Sequence, residues 1–477
     1  MARVTEHFGI NKSQAELDFI DVEFDGDVPL FVDPFAISQR QDRWSQECHL
    51  TIIAFFQRIV DLIRHGEEGS ALNHLSYLRE PNETRLGYST FNPQGAGIGS
   101  YQARQLFDAL SESAAVQTGF INSLEECELM IDGIGRDKIS DLTTNIIRLK
   151  LAEYTKDQCA LWEIPTQSVA VAPYYSPDAN SWINDYYDLP VIDTKPLLLV
   201  PKAIARYDLA YNHQKYYRGF VLDYLQAEAL EAASGLVRIL RNGARVVYKK
   251  DIQENYPCTK EYLFRFSRDH PNVLEDYREE LERIERISES ADVDPDDQRV
   301  IAMALIAALQ SIQPGNASAS DYHNLMIGIV EFLLFPNLLH PRKEREIHQG
   351  RKRIDIVMEN GAKAGIFARL SENRNYPCAF VAFECKNYMT EIANPELDQL
   401  SGRFSPNRGK AGFLCCRHFE DRGLFVERCR DTFRDDRGLI IPLDDQTVIR
   451  LLGRIATDQR NMLDDEFTNM IDEIWYN

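Results

Sequence analysis

Four residues in the last third of the chain each bring a charge to a place where the neighbours call for burial. In "AFVAFECKNY" (379–388), Glu384 and Lys386 end a run that otherwise reads as buried strand. Side chains alternate along a strand, so these two point the same way, while Val381, Phe383 and Cys385 occupy the other face. A strand that is apolar on both faces belongs in the middle of a sheet covered on both sides. Asp355 sits between Ile354 and Ile356 in "KRIDIVMEN". Glu331 lies in a helix-like run, 321–335, where its neighbours three and four positions away are Ile327, Gly328, Leu334 and Phe335, none of them polar.

A lone buried carboxylate is costly or takes up a proton. Three carboxylates converging near one lysine make sense around a divalent cation, and Mg²⁺ suits such oxygen ligands together with water and substrate phosphate. A metal of this kind polarises a phosphoryl oxygen and lowers the pKa of a bound water, while a lysine positions that water or offsets developing negative charge. The chemistry is phosphodiester hydrolysis. A plainer reading stands beside it: an acid two residues before a lysine is a cheap pattern, repeated in "IDTK" at 192–195, and Glu384 with Lys386 alone would be a strand-end ion pair. Order separates the two cases. No strand-borne acid and helical glutamate precede "IDTK" in sequence. Before and after "ECK", however, come the helix 321–335, strand-like "EREIHQG" and "KRIDIVMEN", the short helix "NPELDQLSGRF" and the strand "AGFLCCR", an α-β-β-β-α-β succession.

"RID" (353–355), "ECK" (384–386), a helical glutamate upstream and "DQLSGR" downstream resemble the PD-(D/E)xK nuclease superfamily, the restriction-endonuclease-like fold. The resemblance covers the last third of the chain. It implies that Asp355 and Glu384 are metal ligands together with the backbone carbonyl of Cys385, and that Lys386 is the catalytic lysine. Glu331 matches the additional acid that many members carry on the first core helix, and Gln399 a glutamine on the helix after the third strand. Mg²⁺ is the implied cofactor, with Mn²⁺ able to substitute, and DNA the implied substrate. Ile354 stands where the name-giving motif has proline. Arg351, Arg353, Arg403, Arg408 and Lys410 are expected to meet DNA phosphates. For the last three, an ordinary solvated loop is the alternative.

The elements that must position these residues belong to a chain of 477 residues, too long for one ordinary core. The expected fold is α/β: a mostly helical α+β N-terminal region, 1–300, of one or two subdomains, then a restriction-endonuclease-like core over 301–477. The break falls between 290 and 320, near the acidic "ADVDPDD". Hydrophobic residues at 44% and charged residues at 27% describe a soluble globular protein. The longest apolar stretch is interrupted by Glu331 and Pro336, so no membrane partner is expected. Nine cysteines without a CxxC pair favour neither a disulfide framework nor zinc, and fit a reducing cytoplasm. Ten histidines form no HExxH, which argues against a zinc hydrolase.

A net charge of −21 argues at first against nucleic acid. Yet residues 321–477 hold 22 Lys and Arg against 25 Asp and Glu, and 341–454 hold 21 against 17, so the acidic excess belongs to the N-terminal part. "GAGIGS" (95–100) reads as a flexible turn before a helix rather than a nucleotide loop, and "GKAG" (409–412) lacks the spacing of a phosphate loop. The functional expectation is a Mg²⁺-dependent DNA endonuclease of a bacterial restriction or anti-phage system. Its N-terminal region would recognise a partner protein, sense a trigger or assemble a homo-oligomer. A non-catalytic nuclease-fold subunit that binds DNA or assembles a defence complex is the alternative. An enzymatic N-terminal region is a third possibility, for which the sequence names no residues.

Overall fold

Capping and spacing set the helices of the N-terminal part. The helix Arg43–Arg64 is capped by Asp42, whose Oδ1 accepts from the Ser45 amide (2.8 Å). Its Cys48, Ile52, Phe55, Phe56, Ile59 and Leu62 recur at helical spacing and form a buried stripe. The computed structural model describes residues 3–24, 26–87, 98–288, 295–343, 355–373, 378–405 and 407–476. Of "GAGIGS" (95–100), residues 95–97 lie outside these, and the helix Ile98–Glu112 starts within it.

In two places here the sequence pattern and the structure differ. The spacing over 137–162 predicts one helix, and the structure forms two, Arg136–Ile146 and Arg148–Trp162, divided at Ile147 (φ −90°, ψ 10°). The apolar run in "KPLLLVPK" (195–202) predicts a buried strand, but only Lys195–Pro196 forms one, paired with Val191–Ile192, and Pro201 makes an isolated bridge to Phe19. Leu197–Val200 are buried, and their backbone groups find separate partners. Leu198 N donates to Glu83 O (2.8 Å), Leu199 N to Thr155 Oγ1 (2.9 Å), and Val200 O accepts from Ile20 N (2.9 Å). A short apolar run reports burial, which a ladder is only one way to achieve. Among the described residues, the N-terminal part has only two-stranded antiparallel sheets.

From residue 295 onward the elements are α1 (Pro295–Ser311), α2 (Ala319–Leu334), β1 (Leu338–Arg342), β2 (Ile356–Asn360), α3 (Gly365–Ser371), β3 (Phe380–Lys386), α4 (Asn394–Ser401), β4 (Ala411–Cys416), α5 (Arg422–Arg434), β5 (Leu439–Asp444), α6 (Asp445–Ala456) and α7 (Leu463–Trp475). The five strands form one sheet in the order β1-β2-β3-β4-β5. β1, β2 and β3 pair antiparallel, while β3, β4 and β5 pair parallel. β3 is thus the central strand, as its two apolar faces require. The protein is an α/β molecule, mostly helical, with a five-stranded sheet at the C-terminal end.

The first strand of this sheet among the described residues is "LLHPR"; "EREIHQG" (344–350), expected as a strand, lies outside the described residues. β1 carries Pro341 and a histidine in the left-handed region (His340, φ +52°). Both are tolerated because β1 is an edge strand with a register shift between Leu339 and Arg342.

Apolar residues gather into two cores. One draws on residues from Val4 to Leu281, the other on residues from Ala302 to Ile474 joined by Ala15 and Leu161. α1 straddles the expected 300/301 division and buries Ala302, Leu305 and Leu309 in the second core. Where the two parts meet, α2 lies tight against the segment Gln14–Glu16: a Cβ on Gly328 would fall 2.7 Å from Glu16 Oε1 and Lys12 Nζ. No helix among the described residues is long and apolar enough to cross a membrane.

Candidate active site

The β2–β3 register sets Ile356 opposite Phe383, and continuing it by one residue sets Asp355 across from Glu384. Directly opposed residues of an antiparallel pair share a face, which brings the two carboxylates together at the end of both strands. Asp355 Oδ2 accepts from the Cys385 amide (2.7 Å), which ties it to β3. Glu384 is buried. Its Oε1 accepts from Lys386 Nζ (2.7 Å) and Gln399 Nε2 (2.9 Å), and its Oε2 pairs with Arg403. Gln399 Oε1 also accepts from Lys386 Nζ (3.3 Å). α4 supplies Gln399 because Glu396, bonded to the Ala393 amide (2.9 Å), fixes the start of that helix.

Asp355, Glu384, Lys386 and Gln399 therefore stand together, with the Cys385 backbone between them. Burial raises the pKa of Asp355, against the pull of the Cys385 amide, Lys386 and Arg403. Burial raises Glu384 as well, and the Asp355 charge adds to it. For Lys386, burial works against the ammonium, but the Glu384 carboxylate outweighs it and the pKa rises. Two crowded carboxylates, each held above its ordinary range, form a place where a cation is favourable. A carboxylate has about four lone-pair sites, so one amide leaves Asp355 with capacity for a metal. Glu384 can join only by loosening its hold on Arg403 or Lys386. Among the described residues no cluster of three or more His, Cys, Asp and Glu side chains has metal-ligand spacing. Mg²⁺ needs only one or two carboxylates, so the pair fits such an ion with backbone and water oxygens completing the shell.

Glu331 does not join this group, contrary to expectation. Its carboxylate is wholly buried 2.9 Å from Lys202 Nζ, with Asp18 and His340 as the other charges that act on it. The reason is its place on α2, one turn beyond Gly328 on the side pressed against the N-terminal part. The α2 residue that approaches the carboxylates is His323, two turns earlier and about 12 Å along the helix axis. The Asp355 backbone and the Glu384 charge are among the groups that favour its protonated form. Burial, and next Lys343, lower its pKa.

The basic residues divide. Arg403 is 2% exposed and pairs with Glu384, so it is part of the site and cannot meet DNA phosphates as expected. Arg408 is exposed, its Nε donating to Ser405 Oγ (3.2 Å), and Lys410 Nζ pairs with Asp436 (3.1 Å). Arg351 and Arg353 lie outside the described residues. His323 and the role of Arg403 were missed from sequence. A histidine on an otherwise apolar helix was the available signal for the first; nothing in "SGRF" distinguishes a buried arginine from a loop cation.

Residues 9–212 match the model of a family described as a domain of unknown function (DUF8370). The match ends well before the group at 355–403. No curated protein and no solved structure matches the chain.

Proposed function

We propose that the C-terminal part is a Mg²⁺-dependent nuclease that hydrolyses phosphodiester bonds of DNA, with a restriction-endonuclease-like core. The observation that carries the reading is the convergence of Asp355 and Glu384 across β2 and β3 with Lys386 and Gln399 beside them. Asp355, Glu384 and the Cys385 carbonyl would hold the metal, which when bound supplies polarisation of a phosphoryl oxygen and a water of lowered pKa. Lys386 remains an ammonium, a donor without acceptor capacity, and stabilises the negative charge that develops on the phosphoryl oxygens. Gln399 spans Lys386 and Glu384 and keeps the lysine aimed. The wider proposal is an endonuclease of a bacterial restriction or anti-phage system, acting in the cytoplasm, with the N-terminal region engaging a partner protein or a second copy of the chain.

One observation favours a second reading. Arg403 and Lys386 together neutralise Glu384, as in a structural ion cluster, which suits a nuclease-fold subunit that binds DNA or assembles a complex without cutting. Supercoiled plasmid incubated with the whole chain and Mg²⁺, with an EDTA control, separates the two. Metal-dependent nicking or linearisation supports the nuclease. No cleavage of plasmid, single-stranded DNA or RNA in Mg²⁺ or Mn²⁺ leaves the binding subunit.

A further inference from the structure

Where the two parts of the chain meet, a cleft of about 850 Å³ opens beside the end of α2. Ile20, Val28 and Leu30 from the N-terminal part and Phe332, Phe335 and Leu463 from the C-terminal part give it apolar walls. Asn337 and Asn461 add side-chain amides. A concavity of this size, apolar with a few polar groups, has the character of a small-molecule site. None of Asp355, Glu384, Lys386 and Gln399 lines it, so what binds there is independent of the nuclease reading.

Arg460, on the turn Arg460–Met462 between α6 and α7, brings a charge to this cleft. Its Nη2 donates to the Phe332 carbonyl (2.6 Å) and the Phe335 carbonyl (3.4 Å), and its Nη1 to Gln298 Oε1 (3.3 Å). A guanidinium has five N–H groups. The Nε–H and one Nη1–H are therefore left without a protein acceptor among the described residues. No carboxylate is among its partners, and the two carbonyls carry only the partial charge of a helix end. The other cations of the lining each have an acid: Arg3 pairs with Glu23 (3.1 Å), Lys202 with Glu331 (2.9 Å) and Arg206 with Glu285. Burial lowers the Arg460 pKa to about 10, and no carboxylate acts against it. Taking a charge out of water without a counter-ion is costly, and a charge-assisted bond to an oxyanion offsets that cost.

We propose that this cleft binds a small amphipathic monocarboxylate, its carboxylate on Arg460 and its apolar body against Phe332, Phe335 and Leu30. The number of charges follows from the lining. Asp21, Glu23, Asp27 and Asp464 line the same cleft and repel a polyanion, while one arginine without an acid matches one negative charge. A phosphate monoester, at about −1.5 to −2 near neutral pH, carries more than that. The planar guanidinium also suits the planar carboxylate, which can accept from two of its N–H groups at once.

Calorimetric titration of the full chain tests this with two probes, 2-naphthoate for an aromatic body and octanoate for an aliphatic one. Their neutral amides, 2-naphthamide and octanamide, serve as controls. Expected is one-to-one binding of at least one acid with a Kd of about 1 mM or tighter, the scale for a ligand of this size. The tighter of the two identifies the body the cleft prefers. Its amide should bind about tenfold more weakly or worse, the scale of a lost hydrogen bond to a charged group. Arg460→Gln keeps a donor for the α2 carbonyls and removes the charge, and should weaken the acid by a similar factor. Asn461→Asp, at an exposed position of the lining, offers Arg460 an internal carboxylate and should do the same; it keeps the test open if Arg460→Gln does not fold. No binding of either acid at millimolar concentration overturns the proposal. So does an amide that binds as tightly as its acid, or wild-type affinity in either variant that folds.

Discussion

Glu331→Gln tests whether burial or pairing governs the buried charges where the two parts of the chain meet. Burial raises the Glu331 carboxyl from its ordinary 4.5 to about 7, despite Lys202 at 2.9 Å and with Asp18 adding to the rise. A folded-state pKa above the unfolded one means stability that is full below pH 4.5 and lost as pH rises through 7. The whole span corresponds to about 3 kcal/mol. Glutamine matches the protonated carboxyl in shape and never carries the charge. The variant should therefore exceed wild type by about 1 kcal/mol or less at pH 5 and by about 3 kcal/mol at pH 8. Lys202 is not stranded by the change, because it also donates to the Ala15 and Leu17 carbonyls and lies 4.2 Å from the Phe335 ring centroid. Urea unfolding at pH 5, 6, 7 and 8 reads the difference, followed by tryptophan fluorescence; Trp44, 5.0 Å from His340 between ring centroids, reports on this cluster. Because Glu331 faces Lys202 rather than Asp355, plasmid cleavage should stay within about threefold of wild type, a range that reflects the modest effect of changes away from the reacting groups. A variant less stable than wild type at pH 8 would refute the reasoning, since the ion pair with Lys202 would then outweigh burial.

The other expectations concern both clusters. Lys386→Ala should abolish cleavage with the fold and Mg²⁺ binding retained, while Asp355→Asn and Glu384→Gln should each weaken Mg²⁺ binding in a calorimetric titration; unchanged affinity in both would place the ligands elsewhere. Arg403→Met leaves Glu384 short of a partner, so in EDTA it should lower stability by about 3 kcal/mol, the scale of a broken buried pair. If a cation takes the arginine's place, added Mg²⁺ should raise the melting temperature of this variant more than that of wild type; equal shifts would support the non-catalytic reading. His340 bridges Asp18 and Asp42, both 3.2 Å away, and although burial lowers its pKa, the two carboxylates outweigh it and raise it to about 10. Stability from this bridge is full below pH 6.5 and lost as pH rises through 10. His340→Gln should flatten that part of the pH dependence and cost about 3–5 kcal/mol at neutral pH; an unaltered pH profile would exclude the bridge.

What could be read from the sequence was whatever local pattern alone decides. Charges at the end of a strand apolar on both faces marked β3 as central, and an aspartate between isoleucines marked the neighbouring strand. Their convergence then followed from pairing two adjacent strands. Glu331 shows the limit. The residues from Leu325 to Leu334 on α2 are all buried, so burial on every side says nothing about which way a carboxylate points. The direction came from Lys202 and the segment Gln14–Glu16, more than a hundred residues distant in sequence. Arg403 illustrates the converse case. An arginine after a helix is ordinarily solvated, and only its approach to Glu384 across α4 and β3 makes it a buried one. β1 was not read as a strand, since a proline argues against a place in a ladder and edge position is a tertiary property.

The same geometry constrains how the N-terminal part could control the C-terminal one. The acidic excess of the N-terminal part suits a region kept off nucleic acid until a trigger repositions it. Yet β1, β2 and α2 are held to the N-terminal part by buried polar links: His340 between Asp18 and Asp42, Glu331 with Lys202, the Trp44 amide on Glu359 (3.0 Å) and Gln158 on the Pro341 carbonyl (2.8 Å). Breaking the His340 bridge without a replacement partner costs about 3–5 kcal/mol, and the hydrogen bonds of Trp44 and Gln158 would have to part with it. Natural stabilities of 5–15 kcal/mol leave little room for that as a functional step. The edge strand of the sheet and the N-terminal region thus move as one unit in this part of the molecule. Control is better sought at the opposite end of the strands, where Glu384 is shared between Arg403, Lys386 and an incoming cation, and where a small displacement of α4 would decide which of them it keeps.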